Sequence, residues 1–256
     1  MAYSASSMNI GLYQSAASLS ALERWQDAVS QNITSGQVTG YRKRTVNFST
    51  DQAGELHLDP KAKLGRDDGV PMLFPRVEGG INFVSAEAQP TRNELDVAIM
   101  GDGFFEVRQE DGSKSYTRSG QFRMRPDRTL VNGHGFEVMS ADGNPITLLP
   151  GQGPVIINAD GRISQGAAQL GRLSVVDFPD KSVLRPLDGG LFAIPEGMEP
   201  EQVEEVSVQQ GYLEGSNVAA LREMVDLVLI SRAYEANQRM ISSFDQRMQK
   251  ALDALG

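Results

Sequence analysis

VAALREMVDLVLISRAYEANQRMISSFDQRMQKALDAL, residues 218–255, carries its apolar side chains in steps of three and four. The seam is Leu227, Ile230, Tyr234, Asn237, Ile241, Phe244, Met248, Ala251 and Leu255. That is the a/d spacing of a helix that buries one narrow face, with Asn237 as its polar member. Leu221, Met224, Val225, Val228 and Leu229 widen the apolar face over the first turns, so contact on more than one side is expected there. Ser216 or Asn217 is placed to cap the helix start. The same spacing recurs at the other end of the chain, in Met8, Leu12, Ser15, Leu19, Leu22, Gln26, Val29 and Ile33. Ser6 or Ser7 is placed to cap that helix, and Gly36 to stop it in a left-handed conformation.

Between these ends the pattern changes. From about Gly80 to Gln210, short runs rich in strand formers alternate with Asp-Gly or Asn-Gly pairs beginning at Asp102, Asp111, Asn132, Asp142, Asp160 and Asp188. Dense turns between short strands predict an antiparallel β domain rather than a parallel α/β fold. Residues 36–79 are polar, with Pro60, Pro71 and Pro75, and read as an extended connector in which Val46 and Phe48 favour a short strand. The expected fold class is therefore α+β, with long N- and C-terminal helices in coiled-coil pairing flanking an irregular antiparallel β domain. The expected divisions are 1–35 (N-terminal assembly helix), 36–79 (connector), 80–210 (β-rich outer domain) and 211–256 (C-terminal assembly helix).

Bulk properties exclude several functions. The chain has 256 residues, 40% hydrophobic and 22% charged, with a net charge of -9. An acidic chain argues against nucleic acid as a partner. Cysteine is absent, which removes disulfides, thiolate catalysis and zinc–thiolate sites. There is no apolar run of the ~18 residues a membrane span needs, and no basic residue or continuous apolar stretch that would make the N-terminus a cleavable signal peptide. The expectation is a soluble protein without direct membrane insertion. His57 and His134 are not placed at metal-ligand spacing. Gly101-Asp102-Gly103 leads into a strand rather than a helix, so a tight turn fits it better than a phosphate loop. Asp142-Gly143-Asn144 lacks the oxygen pattern of a calcium loop, and the pairs Asp67-Asp68 and Glu204-Glu205 do not define glycosidase acids. No catalytic residue, cofactor or metal is assigned, and the chain is read as not an enzyme.

Length makes the ends conspicuous. At 1.5 Å per residue the two helices reach ~39 Å and ~57 Å, against a radius of gyration near ~18 Å for a compact domain of this size. Two readings fit this geometry. In one the helices form an intramolecular buttress; in the other they assemble with neighbouring subunits, and the polar members Ser15, Gln26 and Asn237 fix register.

Several short words, in order, narrow the choice. They are Ser30-Gln31-Asn32-Ile33, Thr39-Gly40-Tyr41-Arg42-Lys43, Leu95-Asp96-Val97-Ala98-Ile99, Gly101-Asp102-Gly103-Phe104-Phe105, Tyr116-Thr117-Arg118-Ser119-Gly120, Leu213-Glu214-Gly215-Ser216-Asn217-Val218 and Arg232-Ala233-Tyr234-Glu235-Ala236-Asn237. Across nearly its whole length the chain resembles the bacterial flagellar rod and hook family of axial proteins. It departs from the family pattern at Thr34-Ser35-Gly36. The resemblance implies a structural subunit of the basal-body rod, polymerising helically through its terminal helices to link motor and hook. It implies other axial subunits as partners, export through the flagellar type III apparatus without a cleaved signal, and surrounding ring proteins. The proximal-rod type is favoured over a distal-rod or hook-type subunit; a soluble binding or carbohydrate-active β domain is the remaining alternative. The candidate assembly residues are Leu12, Leu19, Leu22, Gln26, Val29, Asn32 and Ile33 with Leu227, Ile230, Tyr234, Asn237, Ile241, Phe244 and Met248.

Overall fold

The structure, a computed structural model, describes residues 2–56, 70–195 and 197–253, with side chains described over 13–50, 75–195, 197–250 and 253. The chain divides into two compact units. One, the helix unit, comprises Met1–Ile33, Arg44–Gly80 and Ala220–Gly256; the other, the β unit, comprises Thr34–Lys43 and Ile81–Ala219.

The helix unit holds α1 (Ala2–Ser35), the paired strands β1 (Arg44–Leu56) and β2 (Val70–Ile81), and α2 (Ala220–Asp253). The strands are held on α1 by an aromatic contact. Trp25 meets Phe48 edge to face, with ring centroids 5.5 Å apart. Arg24 Nη1 donates to the Val77 carbonyl at 3.4 Å.

In the β unit, Phe104–Arg108 is the central strand of a nine-stranded sheet. It pairs antiparallel with Lys114–Thr117, Glu137–Val138 and Val175–Asp177. Its alternation explains why it is buried on both faces. Phe105 and Val107 enter the larger core with Val97, Phe122, Leu130, Ile163 and Leu173. Phe104 points the other way, into a smaller cluster with Tyr116, Phe178, Leu184 and Phe192. Glu106 shares that second face and stays buried because Lys114 Nζ lies 2.8 Å from its Oε1 and Ser174 Oγ donates to its Oε2 at 3.2 Å. A three-stranded antiparallel sheet (Val155–Ile157, Arg162–Gln165, Ala168–Arg172) completes the wall of the large core. The chain then returns past its own start: Val208–Gln210 pairs with Val97–Ile99, and Tyr212–Glu214 with Ala88–Pro90.

The expected α+β class, with long coiled-coil helices flanking an irregular antiparallel β domain, is overturned. The protein is mainly β, with two α-helices and eighteen strands among the described residues. Two of those strands are the 13 residues of β1, within the stretch 36–79 read as a connector, and the 12 of β2, which begins in it and ends two residues beyond. Heptad spacing revealed the helices but carried no information about strands that use a helix as their packing surface. Three smaller expectations also fail. Neither Ser6 nor Ser7 caps α1, because the helix already runs from Ala2 and both lie inside it. Gly36 does not supply the left-handed stop; the first left-handed residue after α1 is Gly40, at φ 69°. Neither Ser216 nor Asn217 caps α2, which starts at Ala220; the Asn217 side chain is engaged elsewhere, as described below.

Candidate assembly helices and their buried anchor

Within the helix unit, α1 and α2 run antiparallel. Asn237 Nδ2 donates to the Ser15 carbonyl at 3.3 Å, and Ser15 Oγ reaches Met240 Sδ at 3.8 Å. Toward the other end, Asn32 Nδ2 donates to Glu223 Oε2 at 2.9 Å. The described buried side chains of α1 are Ser15, Ala21, Val29 and Asn32, with Trp25 half-buried between them. Small and polar side chains thus mark this face at several positions where a coiled coil would carry large apolar ones.

Asn32 does more than mark register. Its Oδ1 accepts from Arg44 N at 2.8 Å and its Nδ2 donates to Arg44 O at 2.9 Å. The amide therefore supplies both hydrogen bonds that a neighbouring strand would give the first residue of β1. With Glu223 as the second acceptor, one side chain joins α1, β1 and α2.

The expected assembly residues distribute as follows. Val29, Asn32 and Ile230 are buried. Leu19, Leu22, Ile33, Leu227, Tyr234, Asn237, Ile241, Phe244 and Met248 are half-buried, and Gln26 is exposed. The Leu12 side chain lies outside the described residues, as do those of Met8, Ala251 and Leu255. Sequence reasoning missed Ala21, Trp25 and Glu223. A stripe through Ser15, Ser18, Leu22, Trp25, Val29 and Asn32 also satisfies three–four spacing, and the apolar count alone favoured the other stripe.

In the β unit four of the short words, those holding Arg42, Gly101-Asp102-Gly103, Arg118 and Glu214, meet at one point. Glu214, 2% exposed, lies between two buried arginines. Arg118 Nε donates to its Oε2 at 2.8 Å, and Arg42 Nη1 lies 2.7 Å from its Oε1, which also accepts from Ala86 N at 2.8 Å. Arg42 Nη1 approaches off the hydrogen-bond direction, so the contact is an ion pair without a formed hydrogen bond. Arg118 spends its other donors on carbonyls: Nη1 on Gly103 O at 2.5 Å and Nη2 on Gly101 O at 2.7 Å. Gly101-Asp102-Gly103 therefore does the opposite of a phosphate loop, turning carbonyls toward a cation. Burial pulls the Arg118 guanidinium below its ordinary pKa; the Glu214 charge opposes this, and Arg42 adds to it.

Backbone geometry locks the same point. Gly40 N donates to Glu214 O at 2.8 Å, and any Cβ on Gly40 would run into the backbone of Arg118 and Ser119. Thr39 Oγ1 and Ser119 Oγ share a hydrogen bond of 2.6 Å. Asn217 then fastens three passages of chain: its Oδ1 accepts from Lys43 N at 2.6 Å, and its Nδ2 donates to Asn82 O at 2.8 Å and Val84 O at 2.9 Å. Thr34–Lys43, the start of Ile81–Ala219 and its end are thus joined inside the β unit.

Among the described residues no group of three acidic or histidine side chains is placed to hold a metal, and no helix is long and apolar enough to cross a membrane. His134 Nε2 sits 3.3 Å from Gly189 O beside Phe136. His57 lies outside the described residues.

Comparison with known proteins follows the same map. Residues 209–254 match the family described as flagellar basal body rod FlgEFG protein C-terminal, and residues 98–165 match the flagellar hook protein FlgE/F/G D1 domain. The chain is 32% identical to the flagellar basal-body rod protein FlgF of Caulobacter vibrioides, covering 97% of this chain and 99% of that protein. It is 30% identical to FlgF of Rhizobium meliloti, over 97% and 99% of the two chains. It is also 30% identical to the rod protein FlgG of Agrobacterium fabrum, over 86% and 89%.

Proposed function

From the premise that this chain belongs to the flagellar basal-body rod protein family, we propose that its helix unit is the part that polymerises and its β unit the part that faces outward. The chain is a structural subunit of the bacterial flagellar basal body, assembling with other rod and hook proteins, in a family that is structural rather than enzymatic. The proposed assembly portions are α1 and α2, which lie within the expected stretches 1–35 and 211–256, stacking helically to link motor and hook. The observation that carries this reading is the half-buried seam Leu227, Tyr234, Ile241, Phe244 and Met248, an apolar face that stays partly exposed. Full-length correspondence to FlgF proteins supports a place in the proximal rod. Export through the flagellar type III apparatus and contact with the surrounding rings complete the proposal; they rest on family membership.

Phe244→Asp tests the seam. A carboxylate there is costly to bury, so incorporation into purified basal bodies should be lost while the β unit keeps its thermal transition. Normal incorporation of Phe244→Asp would remove the seam from the assembly interface.

A further inference from the structure

The first turns of α2 carry a ridge that the helix unit does not use. Leu221, Met224, Val225, Val228 and Leu229 are 48–77% exposed. Their spacing puts them on one face over two turns. Further along the same helix the relief inverts. A groove of about 580 Å³ opens among α1, α2 and the paired strands. Small side chains, Ser18, Ala21, Ala233 and Ala236, line it together with Phe48 and Phe244.

Ridge and groove share α2, which is continuous over Ala220–Asp253. Their centres are ~18 Å apart along a rigid helix, at 1.5 Å per residue. The ridge therefore cannot fold into its own groove, and an occupant of this shape must come from another molecule. We propose that the Leu221–Leu229 ridge of one copy seats in the Ser18/Ala21/Ala236 groove of the next copy. This rests on the reading of the chain as a rod subunit, and adds the surface by which like subunits follow one another.

Two properties follow from the geometry. The contact joins different surfaces of the two partners, so it propagates instead of closing into a dimer. With about 100 Å² for a whole apolar side chain and five of them little more than half exposed, the ridge offers only ~300 Å² of apolar surface. A stable pair buries ~800 Å² per partner. One such contact does not hold two subunits in dilute solution, and it becomes effective when repeated along a polymer with other contacts.

The chain has no cysteine, so engineered pairs report cleanly. A subunit carrying both Ser18→Cys and Val228→Cys, oxidised in purified rods, should give a ladder of dimer, trimer and higher species of this chain. Either cysteine alone should give none. A subunit that enters rods yet stays uncrosslinked, links only to other rod proteins, or forms dimers through Val228→Cys alone overturns the proposal while leaving the rod assignment intact. A second measurement needs no rod. The full chain at high concentration should associate beyond dimers in sedimentation, and Val228→Asp and Ala236→Trp should each raise the required concentration at least tenfold. Unchanged association in both variants also overturns it.

Discussion

The β unit and the helix unit bury their residues in different ways. In the β unit Val97, Phe105, Val107 and Ile163 have no exposed surface, and even the charges of Arg118, Glu106 and Glu214 are enclosed and paired. In the helix unit Val29 and Ile230 are the large apolar side chains that reach full burial among the described residues, while Leu221, Met224, Val225, Val228, Leu229 and Met240 stand largely in solvent. One unit completes its own core; the other leaves apolar faces exposed. The difference places the enclosed core in the β unit and leaves the exposed apolar faces on the helices, where the proposed assembly would use them.

The largest expected effect breaks the β unit. Glu214→Ala leaves two buried guanidiniums without their shared carboxylate, at about 3–5 kcal/mol. The thermal midpoint of the isolated chain should fall by roughly 10 °C, measured by circular dichroism in the β region. Phe105→Ala should cost a similar ~3–5 kcal/mol through the cavity it opens. Asn217→Ala is expected to cost about 1–3 kcal/mol, because Lys43 N and two carbonyls lose their partner; a denaturant midpoint reads this directly. A midpoint unchanged by Glu214→Ala would mean that the pairing around it is not structural.

Smaller effects sharpen the contrast. Gln26→Ala, at an exposed position, should change the stability of the isolated chain by less than ~0.5 kcal/mol. A drop in rod incorporation without a change in stability would assign Gln26 to a contact between subunits. The smallest effect is a titration. Burial, and secondly the charge of Glu106, push the Tyr116 hydroxyl up to about 12. The folded state thus favours the neutral phenol. That contribution is complete below pH ~10, the ordinary tyrosine value, and is lost as pH rises toward 12. Absorbance at alkaline pH should show one tyrosine ionising late, in step with unfolding of the β unit.

The sequence made part of this legible. Three–four spacing located both helices, α2 within two residues of its ends, while α1 starts six residues before the Met8 that opened its pattern. The five Asp-Gly pairs marked real turns, since Gly103, Gly112, Gly143, Gly161 and Gly189 all have left-handed φ; after Asn132 the left-handed residue is Gly135, not Gly133. The fold class was misjudged because β1 and β2 lie in a polar, proline-bearing stretch. Their anchor, Phe48 on Trp25, joins residues 23 apart in the chain, a pairing that local periodicity does not report. The anchor around Glu214 was hidden for the same reason. Arg42, Arg118 and Glu214 each stood in a quoted word, but nothing in the linear order says that the three words meet. The polar residues Asn32 and Asn217 were visible as letters, and only their hydrogen bonds, to Arg44 and Glu223 in one case and to Lys43, Asn82 and Val84 in the other, gave them work.

Amide hydrogen exchange tests the division of labour most directly, measured on the isolated full chain and again on assembled rods. In the isolated chain, Phe104–Arg108 and its neighbouring strands should be strongly protected and the amides of 221–248 weakly protected; in rods both should be protected. Strong protection of 221–248 in the isolated chain, equal to that of Phe104–Arg108, would contradict the account, because the helices would then be stable without neighbours.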